Sequence, residues 1–107
     1  MSEYITTGTW VVDDDQRKAF TDAWAAFAVW ATARPGARTL RLGRDAADPR
    51  RYVSFGVWDS PDDVSAWKAD PEFPNRLAEV VQHVDDFHSA VLEVVVARSQ
   101  AASVAAD

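Results

Sequence analysis

Aromatic side chains dominate the chemistry this sequence could perform. Five tryptophans, five phenylalanines and two tyrosines stand among 107 residues. Trp24 falls in the apolar stripe of a predicted helix, Trp67 lies three residues after Val64 in another, and Trp10 and Trp58 end predicted strands. An indole buries a large flat surface and keeps one N–H to satisfy. A cluster of indoles therefore lines a pocket for a flat ligand as readily as it fills a core. Core packing is the simpler reading of Trp24, whereas Trp58 and Trp67 are open to both. His83 and His88 are the two histidines, and either is a candidate general base. Solvated or capping histidines are the simpler reading, and their spacing without supporting ligands does not make a metal site.

The rest of the composition excludes several classes. With no cysteine, disulfides, thiolate metal sites, iron–sulfur clusters and cysteine nucleophiles are out of reach. A formal charge of −6 argues against a nucleic-acid partner, which needs a basic footprint. Six arginines, Arg34, Arg38, Arg41, Arg44, Arg50 and Arg51, crowd one segment. They could draw an anionic ligand, but an edge hairpin kept soluble and paired with acidic groups is the simpler reading. Glu93, among valines, should pair with an arginine such as Arg41 if its face is buried. No apolar run approaches the ~20 residues of a membrane span, and no signal peptide is visible. A cytoplasmic location is expected. No nucleotide loop, nucleophile elbow or metalloprotease motif is present.

The elements that must position these residues follow from periodicity and capping. Residues 4–12, rich in β-branched and aromatic types, predict a strand. Asp13 and Gln16 resemble a capping box, and Phe20, Ala23, Trp24, Phe27 and Ala31 form one helical stripe that Pro35-Gly36 ends. Residues 38–44 and 51–58 predict a hairpin. Ser60, Pro61 and Asp63 occupy N-cap, N1 and N3 of a further helix, which Asp70-Pro71 breaks or kinks. Phe73, Leu77, Val80, Val84 and Phe87 continue as a stripe, and the Val-rich run 90–97 predicts the last strand. No internal repeat is evident.

The order β-α-β-β-α-β predicts an α+β, ferredoxin-like fold: a four-stranded antiparallel sheet with two helices on one face. One domain over 1–98 and a tail over 99–107 are expected. The strands carry apolar residues on both faces, yet helices can cover only one. A homodimer packing sheet against sheet would cover the other. Thr6, Gly8, Ser54 and Gly56 share one face with Tyr52 and Trp58. If the helices pack there, a gap remains beneath Trp67, Phe73, Leu77 and Trp24 or Phe27.

The stretch from Tyr52 through Trp58, Ser60-Pro61, Trp67, Asp70-Pro71 and Phe73 resembles the antibiotic biosynthesis monooxygenase family. The resemblance implies a dimeric α+β barrel with one pocket per subunit between helices and sheet. One branch of the family oxidises polycyclic aromatic intermediates with O2 and no cofactor; another binds haem and opens its ring. The haem branch uses a first-strand Asn, a second-helix Trp and a His four residues after the Phe. Trp67 matches the Trp, but Thr7 or Gly8 and Leu77 stand at the other two positions, and the one asparagine is Asn75. Against the cofactor-free branch Trp58 matches, while Ser54 and Val64 replace an Asn and a Tyr.

The expected function is a monooxygenase acting without metal or cofactor on an apolar, aromatic small molecule. Trp58, Trp67 and His83 are the candidate catalytic residues, and Trp24, Phe27, Ser54, Phe73 and Leu77 the candidate ligand contacts. A non-catalytic ligand-binding protein on the same scaffold is the alternative, and a haem protein the third reading.

Overall fold

The computed structural model describes residues 3–100. Strand β1 (Tyr4–Val11) leads through a 3-10 turn (Asp14–Gln16) into helix α1 (Arg17–Thr32). Strands β2 (Ala37–Arg44) and β3 (Arg51–Trp58) form the hairpin, followed by α2 (Pro61–Ala69), α3 (Phe73–Val81) and β4 (Asp86–Glu93). The sheet is antiparallel throughout, in the order β2-β3-β1-β4. This is the expected ferredoxin-like arrangement, with the second helical segment divided into α2 and α3 at Asp70-Pro71, where proline cannot continue the helix.

Local chemistry explains most boundaries. Ser60 caps α2 by accepting from the Asp63 backbone N–H at 3.2 Å and donating its hydroxyl to the Asp63 carboxylate at 2.9 Å, with Pro61 at N1. Gly36 turns the chain into β2 at φ 83°, where a side chain is strained. A Cβ there would also lie 2.2 Å from the Asp63 carboxyl group. The capping box expected at Asp13 does not form, because no side chain caps α1. The Asp13 carboxylate instead accepts two hydrogen bonds from Arg50, at 2.7 and 3.1 Å. A charged guanidinium outcompetes a neutral backbone donor for that carboxylate.

The largest departure lies at the end. The predicted α3 stripe runs on to Val84 and Phe87, and the predicted last strand covers 90–97. The helix stops at Val81 and β4 occupies Asp86–Glu93, four residues earlier. The partner strand decides this. Each of the eight β1 residues pairs with one of β4, from Tyr4 with Glu93 to Val11 with Asp86. Val94 then donates its N–H to the Glu3 carbonyl at 2.9 Å. Residues 94–100 carry no strand or helix. Of the tail expected over 99–107, residues 101–107 lie outside the described residues.

The condition for a Glu93–Arg41 pair, a buried face around Glu93, is not met. Those residues lie on β4 and β2, the two opposite edges of the sheet, and Glu93 is exposed. Four of the six clustered arginines pair elsewhere: Arg34 with Asp70, Arg38 with Asp59, Arg50 with Asp13 and Asp85, and Arg51 with Asp45.

The core forms where the helices meet one face of the sheet. Trp10, Val12, Phe20, Trp24, Phe27, Ala31, Tyr52, Trp58, Val64, Trp67 and Val80 are buried there. Cross-strand pairing places Tyr4, Thr6, Gly8 and Trp10 of β1 beside Trp58, Gly56, Ser54 and Tyr52 of β3 on that face. The opposite face carries Ile5, Val53, Phe55, Val57 and Leu92, with Phe55 and Leu92 exposed. Among the described residues no helix is long and apolar enough to cross a membrane.

Candidate functional site

A cavity of about 140 Å³ lies between the sheet and the helices. Its floor is made of small residues on the central strands and β4: Thr6, Gly8, Gly56 and Ser89. Phe27 of α1, Trp67 of α2, and Phe73 and Leu77 of α3 roof it, and Trp10 and Phe87 close one end. Among the described residues, exposed Lys68 is the one ionisable side chain lining it.

The floor is built from one arrangement used twice. Trp10 donates its indole N–H to the Ser54 hydroxyl at 3.0 Å, and Trp58 donates to the Thr6 hydroxyl at 3.1 Å. In each case the indole passes over the glycine two residues earlier in its own strand. A Cβ on Gly8 would stand 2.8 Å from Ser54 Oγ and 2.9 Å from Trp10 Nε1. A Cβ on Gly56 would stand 3.0 Å from Thr6 Oγ1 and 3.2 Å from Trp58 Nε1. The strands are antiparallel, with Gly8 opposite Ser54 and Gly56 opposite Thr6, so the two units are related by a local two-fold axis. The sequence carries this signal as Thr6-x-Gly8-x-Trp10 and Ser54-x-Gly56-x-Trp58, a short repeat that corrects the expectation of none.

The roof is an aromatic stack. Trp67 lies 4.7 Å from Trp58, 4.9 Å edge-to-face from Phe73 and 5.8 Å from Phe27, all between ring centroids. Its Nε1 is buried and has no hydrogen-bond partner among the described residues. An unmet buried donor costs about 1–3 kcal/mol. Outside this layer, the Arg34 and Arg76 guanidiniums stand 6.0 and 5.5 Å from the Trp30 ring centroid, within cation–π range. The same arginines pair with Asp70 and Glu72, each at 2.8 Å. These contacts tie the C-terminal end of α1 to the break between α2 and α3, from which Phe73 enters the roof.

The expected site residues divide accordingly. Phe27, Trp67, Phe73 and Leu77 come together on the cavity. Trp58 is fully buried beneath Trp67 and does not line it. Ser54, buried under the Trp10 indole, and Trp24, in the core, do not reach it either. His83 stands just past the end of α3, with Nδ1 3.2 Å from Gln16 Oε1, outside the cavity. His88 is exposed on β4, with Nε2 3.1 Å from the Asp86 carboxylate. Sequence reasoning did not find the lining residues Trp10, Lys68, Phe87 and Ser89, nor Thr7, Leu40, Phe55 and Ala90. Ser89 and Phe87 were missed because β4 was placed four residues late.

The cavity does not fit haem. Among the described residues no histidine, cysteine, tyrosine or methionine lines it to ligate iron, and Leu77 stands at the position of the haem branch's histidine. Among the described residues no cluster of His, Asp or Glu could hold a metal ion.

A comparison with curated proteins gave no match. Among solved structures, the chain is similar to SnoaB, a cofactor-independent oxygenase from Streptomyces nogalater, at 19% identity and a TM-score of 0.77. That alignment covers 95% of this chain and 99% of SnoaB. It is also similar to Rv0793 from Mycobacterium tuberculosis, at 20% identity and a TM-score of 0.78, covering 92% and 100% of the two chains. Both likenesses show the shared fold. The family described as antibiotic biosynthesis monooxygenase matches residues 4–75, from the first strand through the break at Asp70-Pro71 to the start of α3. The chain belongs to the antibiotic biosynthesis monooxygenase family.

Proposed function

We propose that the chain is a monooxygenase that oxidises a small phenolic aromatic with O2, without metal or flavin. The observation that carries this reading is the cavity itself. Aromatic walls meet a floor of glycines and hydroxyls, with one cation at the rim, which suits a flat, weakly acidic ligand. SnoaB's cofactor independence supports the same reading.

The chemistry sets a condition on the substrate. With no external reductant, the substrate must supply all four electrons that reduce O2. An ionised phenol can do so. Oxygen adds at a ring carbon bearing hydrogen, the O–O bond breaks, and a quinone and one water leave. One oxygen atom enters the product and the other enters water, so phenol plus O2 balances quinone plus water. The protein's part is to hold the ring and favour its ionised form. Lys68 is the lining group whose charge favours a phenolate. His83 stands outside the cavity, so this reading gives it no proton transfer.

Oxygen uptake with a panel of phenols, run under 18O2, tests the proposal. One labelled atom per quinone and one per water is the expected result. A phenol that binds but consumes no oxygen would instead support the second reading, a non-catalytic binding protein. That reading is favoured by Ser54 and Val64, where the cofactor-free branch has Asn and Tyr, and by a lining whose one ionisable side chain among the described residues is the exposed Lys68.

We also propose that two copies pack through the uncovered sheet face, burying Ile5, Val53, Phe55 and Val57. Sedimentation should give twice the chain mass, and Val57→Asp should give monomers.

A further inference from the structure

We propose that Thr6 is the hydrogen-bond donor that fixes the ligand's oxygen, and that the cavity admits a single aromatic ring. This rests on the reading of the cavity as an aromatic-ligand site.

The direction of one hydrogen bond carries the first half. An indole N–H can only donate. Trp58 Nε1 lies 3.1 Å from Thr6 Oγ1, so Thr6 accepts and keeps its own proton. That proton finds no acceptor among the described residues, and Thr6 lines the cavity. A threonine side chain is also stiff at χ1. The hydroxyl is thus held in place with its hydrogen left for whatever enters. Trp58 is buried and does not line the cavity, so it acts through Thr6 as a positioning residue rather than by touching the ligand. Accepting from the indole also strengthens Thr6 as a donor, because hydrogen bonds in a chain polarise one another.

Volume carries the second half. An apolar cavity of roughly 150 Å³ holds one benzene ring. At about 140 Å³ this cavity takes up one ring with its oxygen, and a fused second ring would extend past its open side, where Lys68 and Ser89 are exposed. Lys68 is the only ionisable lining group among the described residues, which points to a phenol or a ring carbonyl rather than a polyanion.

The test titrates the full chain with phenol, its shape-matched analogue toluene, and 1-naphthol, read by the 15N-indole and backbone amide signals. Phenol should bind more tightly than toluene by about two- to tenfold, the worth of one net hydrogen bond, and more tightly than 1-naphthol. Thr6→Val should lower phenol affinity to that of toluene and leave toluene unchanged, and Thr6→Ser should restore the preference. In the unmodified protein, phenol should shift the Trp58 indole signal and toluene should not, a readout that needs no variant to fold. Equal affinities for phenol and toluene, or a preference that survives Thr6→Val, overturns the role of Thr6. Tighter binding of 1-naphthol overturns the one-ring limit while the aromatic-site reading stands. No binding by any of the three overturns the aromatic-site reading and this inference with it.

Discussion

The two central strands carry the same spacing of hydroxyl, glycine and tryptophan, yet the two units open in opposite senses. In the Trp10 unit the indole borders the cavity and the hydroxyl it serves, Ser54, is sealed. In the Trp58 unit the indole is sealed and the hydroxyl, Thr6, borders the cavity. The neighbours make the difference. Trp10 stacks on Phe87 at 4.1 Å and meets Phe20 at 5.4 Å, which closes that end as core. Trp58 is covered by Trp67, whose own N–H is unmet. An identical pair of hydrogen bonds is therefore structural at one end and ligand-directed at the other.

The largest effect should come from removing the sealed indole. Trp58→Ala deletes a fully buried side chain and the support of Trp67, and should lower stability by about 3–5 kcal/mol in urea unfolding. A loss below about 1 kcal/mol would show that the roof does not depend on this stack.

The glycines come next and should rank by crowding. Gly8→Ala meets atoms closer than 3.0 Å, whereas Gly56→Ala meets none closer than 3.0 Å. Overpacking of this kind costs typically about 1–3 kcal/mol, with Gly8→Ala expected at the upper end. The reverse order in thermal melts would break the structural reading of the Trp10 unit.

Ser54→Ala should then separate the two units. It strands the buried Trp10 N–H and should cost about 1–3 kcal/mol of stability. Phenol affinity should not change, in contrast to Thr6→Val. Parallel loss of stability and affinity would mean that both hydroxyls serve the ligand.

The smallest effect belongs to a control outside both units. The Ala47 backbone N–H and the Arg51 guanidinium hold the Asp45 carboxyl below its ordinary range. A carboxyl depressed in the folded state adds stability above its unfolded pKa, and that stability is lost as pH falls through the folded value. Asp45→Asn should lower melting at neutral pH slightly and make its decline on acidification slightly shallower. Ligand affinity should not move.

Much of this was readable beforehand, for physical reasons. The α1 stripe and the Ser60 cap are local signals, and both elements form where they were expected. The small floor beneath Trp67, Phe73 and Leu77 followed from which strand residues share a face. The β4 register could not be read that way. Its exposed positions, Val91 and Leu92 among them, fall on both faces and break the alternation a half-buried strand should show. The valines at 94–96 outweighed them on propensity alone. Only pairing with β1 sets the limits of that strand. The donor directions at Thr6 and Ser54 were out of reach for a related reason, since they depend on which residues face each other across β1 and β3.

The hydrogen bond from Val94 to Glu3 has a consequence for how the chain could be rewired. It holds the start of β1 beside the end of β4. A short linker could join those points, and new termini could be opened in the exposed β2–β3 loop at Ala46-Ala47. The two β-α-β halves would then be made in the opposite order, with each tryptophan still crossing its own glycine to the other half's hydroxyl. Order of synthesis and architecture of the site are, in this molecule, separable.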